Sequence, residues 1–165
     1  MNYMIKYVSG EPCFDALGVM KLDCAPAVPV NDRIYAQAQL GRNDDCLFIR
    51  ILSFETQPAA DARLTAMLCC GEKKLRLSVT ADGRAQALCG TDDLTASLTS
   101  YITHGEDLQG EYWAGVLLFP LDALRAVLGA DKNALPLAFS GNILREHPAL
   151  SSAAPAGEAV AFTLK

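Results

Sequence analysis

Apolar and polar residues change places at every second position along much of this chain, in short runs broken by turn residues. Ile34, Ala36, Ala38 and Leu40 alternate with Arg33, Tyr35, Gln37 and Gln39, the two-residue period of a strand with one covered and one wetted face. The stretch Gly41-Arg42-Asn43-Asp44-Asp45 is turn chemistry, because Gly and Asx residues tolerate left-handed backbone. It leads into residues 46–54, an apolar run interrupted only by Arg50, so the spacing predicts a hairpin whose second strand is central and covered on both faces. A cation in such a strand needs a partner, and a carboxylate on a neighbouring strand is the expected one.

The same period recurs downstream. Leu64, Ala66 and Leu68 share one face of a strand over 63–70, and Leu75, Leu77 and Val79 alternate with Lys74, Arg76 and Ser78. Ala81-Asp82-Gly83 signals a hairpin into 84–88. Residues 94–102 fit either a strand or a short helix, and the Thr and Ser content favours the strand. Residues 1–10 read as an unprocessed first strand. Residues 135–139 and 158–164 read as closing strands, with a loop over 140–157 between them.

One stretch changes period. Pro120 has no backbone donor, so the apolar run 112–119 ends there, while the fixed φ of proline suits a helix start. Leu121, Leu124 and Leu128 then fall at helical spacing before Gly129, predicting a short helix over 121–128. Trp113, the only tryptophan, shares strand parity with Gly115, Leu117 and Phe119, which makes it a core residue beside that helix.

About eight to ten short strands with Gly/Asp/Asn turns and one helix predict a mainly β protein. The expected form is an antiparallel β-sandwich with jelly-roll or immunoglobulin-like layers, or a partly closed barrel. A parallel α/β fold would need more crossover helices than 121–128 supplies. At 165 residues the chain is expected to form one domain, 1–165, with a single core. Charged residues at 20% and hydrophobic ones at 51% are globular composition, with no run long enough for a membrane span. The net charge of −5 argues against a phosphate-backbone footprint, and so against nucleic acid. The first ten residues lack the pattern of a secretory leader, and a cytoplasmic location is expected.

Cys13, Cys24, Cys46, Cys69, Cys70 and Cys89 are expected to be buried free thiols, since a core of this size needs no disulfide framework. Adjacent Cys69 and Cys70 point to opposite faces of a strand and cannot serve one site. No spacing suggests zinc, and no glycine-rich phosphate loop or nucleophile elbow occurs, so neither cofactor nor metal is expected and no enzyme activity is indicated.

Three segments in order resemble the family 9 carbohydrate-binding modules and their single-domain bacterial relatives. The hairpin Tyr35 to Leu40 with Asp45 to Glu55 is similar to one whose second strand presents an aromatic and a basic position. Trp113 to Pro120 followed by Leu121 and Leu124 is similar to the family's strand, proline and short helix. Gly141-Asn142-Ile143-Leu144-Arg145 resembles the family's Gly-Asn-aromatic-aromatic-basic segment. The resemblance implies a non-catalytic module whose partner is a mono- or oligosaccharide, clasped between aromatic faces while side chains bond its hydroxyls. It nominates Arg50, whose planar donors suit vicinal hydroxyls, and Asn142, Arg145 and His147 on the late loop, with Gln37 lining a polar groove. The departures bear on function: Ile143, Leu144 and Ser151-Ser152-Ala153-Ala154 stand where the pattern has aromatics, and Val116 where it has an acid. Weak or lost sugar binding follows, and the alternative is a protein-interaction or structural β-sandwich with no sugar ligand. The sequence sets no oligomeric state.

Overall fold

A computed structural model describes residues 1–24, 33–129, 138–147 and 150–164. In chain order the strands are β1 (Asn2–Tyr7), β2 (Met20–Lys21), β3 (Ala36–Arg42), β4 (Cys46–Ser53), β5 (Arg63–Cys70), β6 (Lys73–Thr80), β7 (Ala85–Cys89), β8 (Asp92–Asp93), β9 (Thr99–Asp107) and β10 (Gly110–Pro120). The helix α1 (Leu121–Leu128) follows, then β11 (Ala138–Glu146), β12 (Ser151–Ser152) and β13 (Val160–Leu164). They join in one curled sheet of order β8-β7-β6-β5-β11-β13-β1-β3-β4-β10-β9, with β12 beside β11 and β2 beside β3.

The protein is mainly β with one short helix, as its patterning predicts, but the sheet is mixed. β1 runs parallel to β13 through residues 2–5 and parallel to β3 through residues 6–7. The expectation of a wholly antiparallel sandwich is corrected here. Hairpins force antiparallel neighbours, whereas β1 meets both partners through long connections that leave direction open.

Curling brings the two halves face to face. Leu47, Ile49 and Ile51 of β4 and Trp113, Leu117 and Phe119 of β10 are buried in one core with Leu64, Ala66 and Leu68 of β5 and Leu75, Leu77 and Val79 of β6. The layers approach closely at Gly115, where a Cβ would overlap the Val79 side chain. Trp113 is completely buried, as its parity predicts.

Pro120 is the last ladder residue, opposite Cys46, and its ψ of 134° is still extended, so it caps α1 from outside the first turn. The Leu121 N–H donates to the Asp45 carbonyl at 2.9 Å, fixing the helix start to the β3–β4 turn. Leu121, Leu124 and Leu128 are the buried face, and Gly129 ends the helix in the left-handed region at φ 69°.

Three local expectations change. β3 is buried on both faces, with Gln37 and Gln39 both covered rather than wetted. Gln39 lies under residues of the 8–19 segment, to which it is hydrogen-bonded. Residues 94–102 divide into a 3-10 turn (Thr95–Ser97) and β9, because Asp93 Oδ1 accepts from the Thr95 N–H and hydroxyl and bends the chain before the ladder begins. The predicted loop over 140–157 is largely strand: Ser140 to Glu146 pair with β5 as the middle of the sheet. Gly141 sits there because β5 passes so close that a Cβ would overlap the Met67 carbonyl, not because the chain turns. Residues 135–137 of the predicted closing strand lie outside the described residues.

All six cysteines are free, but none is fully buried: Cys13 is exposed and the others are half-covered. Among the described residues no helix is long and apolar enough to cross a membrane.

Candidate functional site

Side-chain alternation on β5 sends Leu64, Ala66 and Leu68 into the core and Arg63, Thr65 and Met67 to the opposite, outer face. Strand register then builds three rows on that face: Thr80, Arg63 and Glu146; Ser78, Thr65 and Leu144; and Arg76, Met67 and Asn142. Gln86 of β7 extends the middle row. The centre is the Glu146 carboxylate, which accepts from Arg63 Nε at 2.9 Å, Arg76 Nη2 at 2.9 Å and Thr65 Oγ1 at 2.6 Å. Arg63 and Arg76 remain 28% and 39% exposed, so both planar groups are reachable from solvent. Burial alone would raise the Glu146 pKa. The hydrogen bonds from Arg63 and Thr65 and the two guanidinium charges outweigh it and hold the carboxylate below its usual range.

Beside this row lies a cleft of about 380 Å³ lined by Asp61, Arg63, Ser78, Thr80, Arg84, Gln86 and His147. Ser78 is nearly covered, and Arg84 is tied to Asp82 at 2.9 Å. His147 follows β11 directly and takes a φ of 56°, the only positive φ at a non-glycine position among the described residues. Guanidinium edges, a carboxylate, hydroxyls and an amide can exchange hydrogen bonds with a polyhydroxylic ligand. Among the described residues no Phe, Tyr or Trp lines the cleft.

The five residues nominated from sequence do not converge. His147 lines the cleft, and Asn142 stands on the same outer face two strand positions from Leu144. Asn142 is engaged internally: its Oδ1 accepts from the Ala153 and Ala154 N–H groups at 3.1 and 3.0 Å, and its Nδ2 donates to the Ala154 carbonyl at 3.1 Å. Arg145 points the other way, into the core, and is fully buried. Its Nη2 donates to both Glu55 carboxylate oxygens at 2.8 and 2.7 Å, and its Nε lies 3.3 Å from Ser53 Oγ. Trp113 Nε1 donates to the same carboxylate at 3.1 Å, and Ser53 Oγ adds a further hydrogen bond. Burial would push the Glu55 pKa up, but these donors, Arg145 foremost, hold it low.

Arg50 and Gln37 belong to the other half of the sheet, on its far face. The expected carboxylate partner of Arg50 is instead a neutral amide: Nε and Nη2 donate to Gln39 Oε1 at 3.2 and 2.5 Å, and the guanidinium stacks 4.7 Å over the Phe14 ring. Gln39 Nε2 in turn donates to the Phe14 and Leu17 carbonyls. Phe14 and Leu17 cover Phe48 and Val116, so an apolar plug from the chain's own N-terminal segment closes this face. The same face carries a row of aromatics, Tyr35, Phe54 and Tyr112, with centroids 5.2 and 5.7 Å apart.

Sequence reasoning missed Arg63 and Arg76, which looked like ordinary solvated strand positions, and Glu146, which fell in the loop expected over 140–157. Parity was the available signal for Arg63 and Arg76, which fall on the face opposite Leu64 and Leu75; for Glu146 it became readable only once 138–146 was seen as a strand.

No family model matches the sequence, and no curated protein matches it significantly. Solved structures do match. A candidate carbohydrate-binding protein from Bacteroides uniformis superposes with a TM-score of 0.72 at 13% identity, covering 99% of both chains. A family 9 carbohydrate-binding module from Caldicellulosiruptor kristjanssonii in complex with glucose gives 0.66 at 10% identity over 98% of this chain and 95% of that one. The same organism's module with cellotriose gives 0.67 at 10% identity over 100% and 94%. The fold is family 9-like. On this family 9-like scaffold most of the positions where the aromatic clamp was expected are covered: Ile143 is in the core, Ser151, Ser152, Ala153 and Ala154 are all buried, and half-buried Leu144 stands on the outer face.

Proposed function

We propose that residues 1–165 form one non-catalytic carbohydrate-binding-like module that recognises sugar hydroxyls weakly, through the outer face of β7, β6, β5 and β11. The observation that carries this reading is the Arg63–Glu146–Arg76 cluster, partly exposed and joined through Arg63 to a polar cleft, on a scaffold shared with modules solved with glucose and cellotriose. Rigid planar donors and acceptors suit vicinal hydroxyls. The curled halves act as the two layers of a sandwich, and the six free thiols favour a reducing, cytoplasmic setting.

Without an aromatic platform, each missing stacking contact removes about 1 kcal/mol beyond area burial, and loss of a two-sided clamp weakens affinity roughly tenfold or more. Millimolar affinity is therefore expected. Titrating glucose, cellotriose and a wider sugar panel while following backbone amide shifts tests this. Shifts should cluster at residues 63–65, 76–80, 86 and 146–147 and weaken in Arg76→Ala. Micromolar binding would contradict the lost clamp, and silence across the panel would favour the protein-interaction reading.

A further inference from the structure

The two ends of the curled sheet are finished differently. At one end β8 contributes only Asp92 and Asp93, both exposed, and a 3-10 turn follows at Thr95–Ser97. Shortness and charge are common ways of blunting a sheet edge. At the other end β9 is nine residues long and, among the described residues, pairs only with β10. Its free side presents a row of backbone donors and acceptors. Residues 99–105, Thr-Ser-Tyr-Ile-Thr-His-Gly, contain no Lys, Arg, Asp, Glu or Pro, and Tyr, Ile and Thr favour extended chain. Tyr101 is 46% exposed at the middle of the run.

The geometry points to this edge as a homodimer interface, in which β9 pairs antiparallel with β9 of a second copy about a two-fold axis at Ile102. The neutral run permits a second copy in this register without opposing like charges. Carboxylates begin only at Glu106 and Asp107, past the neutral run, so one copy's run can lie along the other without like charges meeting. About Ile102, Tyr101 lies opposite Thr103, Ser100 opposite His104 and Thr99 opposite Gly105, each pair reciprocal and on one face. Glu106 and Asp107 then overhang toward Leu98 and Ser97, where the partner strand has already ended. Moving the axis to Thr103 would place Tyr101 against Gly105, a space that the Tyr112 ring already occupies. This interface is independent of the sugar-facing rows, which lie on the other half of the sheet.

Sedimentation equilibrium of the full chain over a concentration series is the test, with twice the 17.7 kDa chain mass expected. The variant Y101K/T103K sets Lys opposite Lys on both sides of the axis and should weaken association at least tenfold. The variant Y101K/T103E sets each Lys opposite a Glu and should keep the dimer. Both positions lie outside the core, and thermal unfolding checks that both variants are folded. A monomeric wild type, whether or not another protein's strand takes the edge, overturns the proposal. So does a dimer that survives Y101K/T103K, or loss of the dimer in a folded Y101K/T103E.

Discussion

Replacing Glu55 with Gln tests the core ion pair. Arg145 is fully buried, and its charge is balanced by two carboxylate contacts at 2.7 and 2.8 Å. Gln supplies one oxygen and turns an N–H₂ group toward donors, so the guanidinium, the Trp113 N–H and the Ser53 hydroxyl compete for a single acceptor. Removing one partner of a buried pair costs about 3–5 kcal/mol, because the remaining charge stays desolvated. The lost bonds from Trp113 and Ser53 belong to the same network and are not additive with that figure. A cost of about 4 kcal/mol is a large share of the roughly 5–15 kcal/mol that holds a typical domain folded. Urea unfolding monitored by far-ultraviolet circular dichroism and by Trp113 emission gives the difference. The double variant E55Q/R145M removes the buried charge as well and should recover about 2 kcal/mol relative to E55Q, since apolar replacement of a buried pair is often near neutral. An E55Q protein within about 1 kcal/mol of wild type, or a double variant no better than the single one, would refute the reasoning.

Acid should destabilise the protein. Glu55 and Glu146 both titrate below their unfolded value of 4.5 in the native state, so their contribution is complete above that value and is lost as pH falls through the native ones; urea midpoints that rise below pH 4.5 would contradict this. Gly141→Ala should cost about 3 kcal/mol, because its Cβ meets the backbone of Met67 in the middle of the sheet. Gly18→Ala, with open space around it, should stay within about 0.5 kcal/mol, and equal thermal shifts for the two would count against the close-approach argument.

Much of the fold was legible where one periodicity dominated. The β3–β4 hairpin, the Pro120 switch, α1 and its glycine stop all follow from local rules that tertiary context did not override. What escaped was decided by contacts far apart in sequence. Gly141-Asn142 looks like a turn, and only the approach of β5 shows that it is the centre of a sheet. Once 140–157 is taken as a loop, Arg145 seems to be a surface cation, and its carboxylate, ninety positions earlier in the chain, has no reason to be sought. Arg50 was rightly judged to need a partner, but Gln39 and Phe14 could be named only after the N-terminal segment was seen to fold over β4. The outer cluster of Arg63, Arg76 and Glu146 was hidden differently. Each residue is unremarkable by itself, and only strand register brings the three together.

The parallel seating of β1 between β13 and β3 has a consequence for how the chain is made. The Met1 carbonyl accepts a hydrogen bond from the Ala161 N–H, and Ile5 stands beside Leu164, so the first strand of this fold in chain order is held on one side by the last. Until β13 emerges, the strand pairing of β1 is limited to two residues of β3, and the β5–β6 and β4–β10 halves pack through their side chains without a ladder that joins them through β1. Synthesis should therefore yield two hairpin-rich halves whose sheet is joined only once β13 has emerged, and this joining should be the slow event in closing the fold.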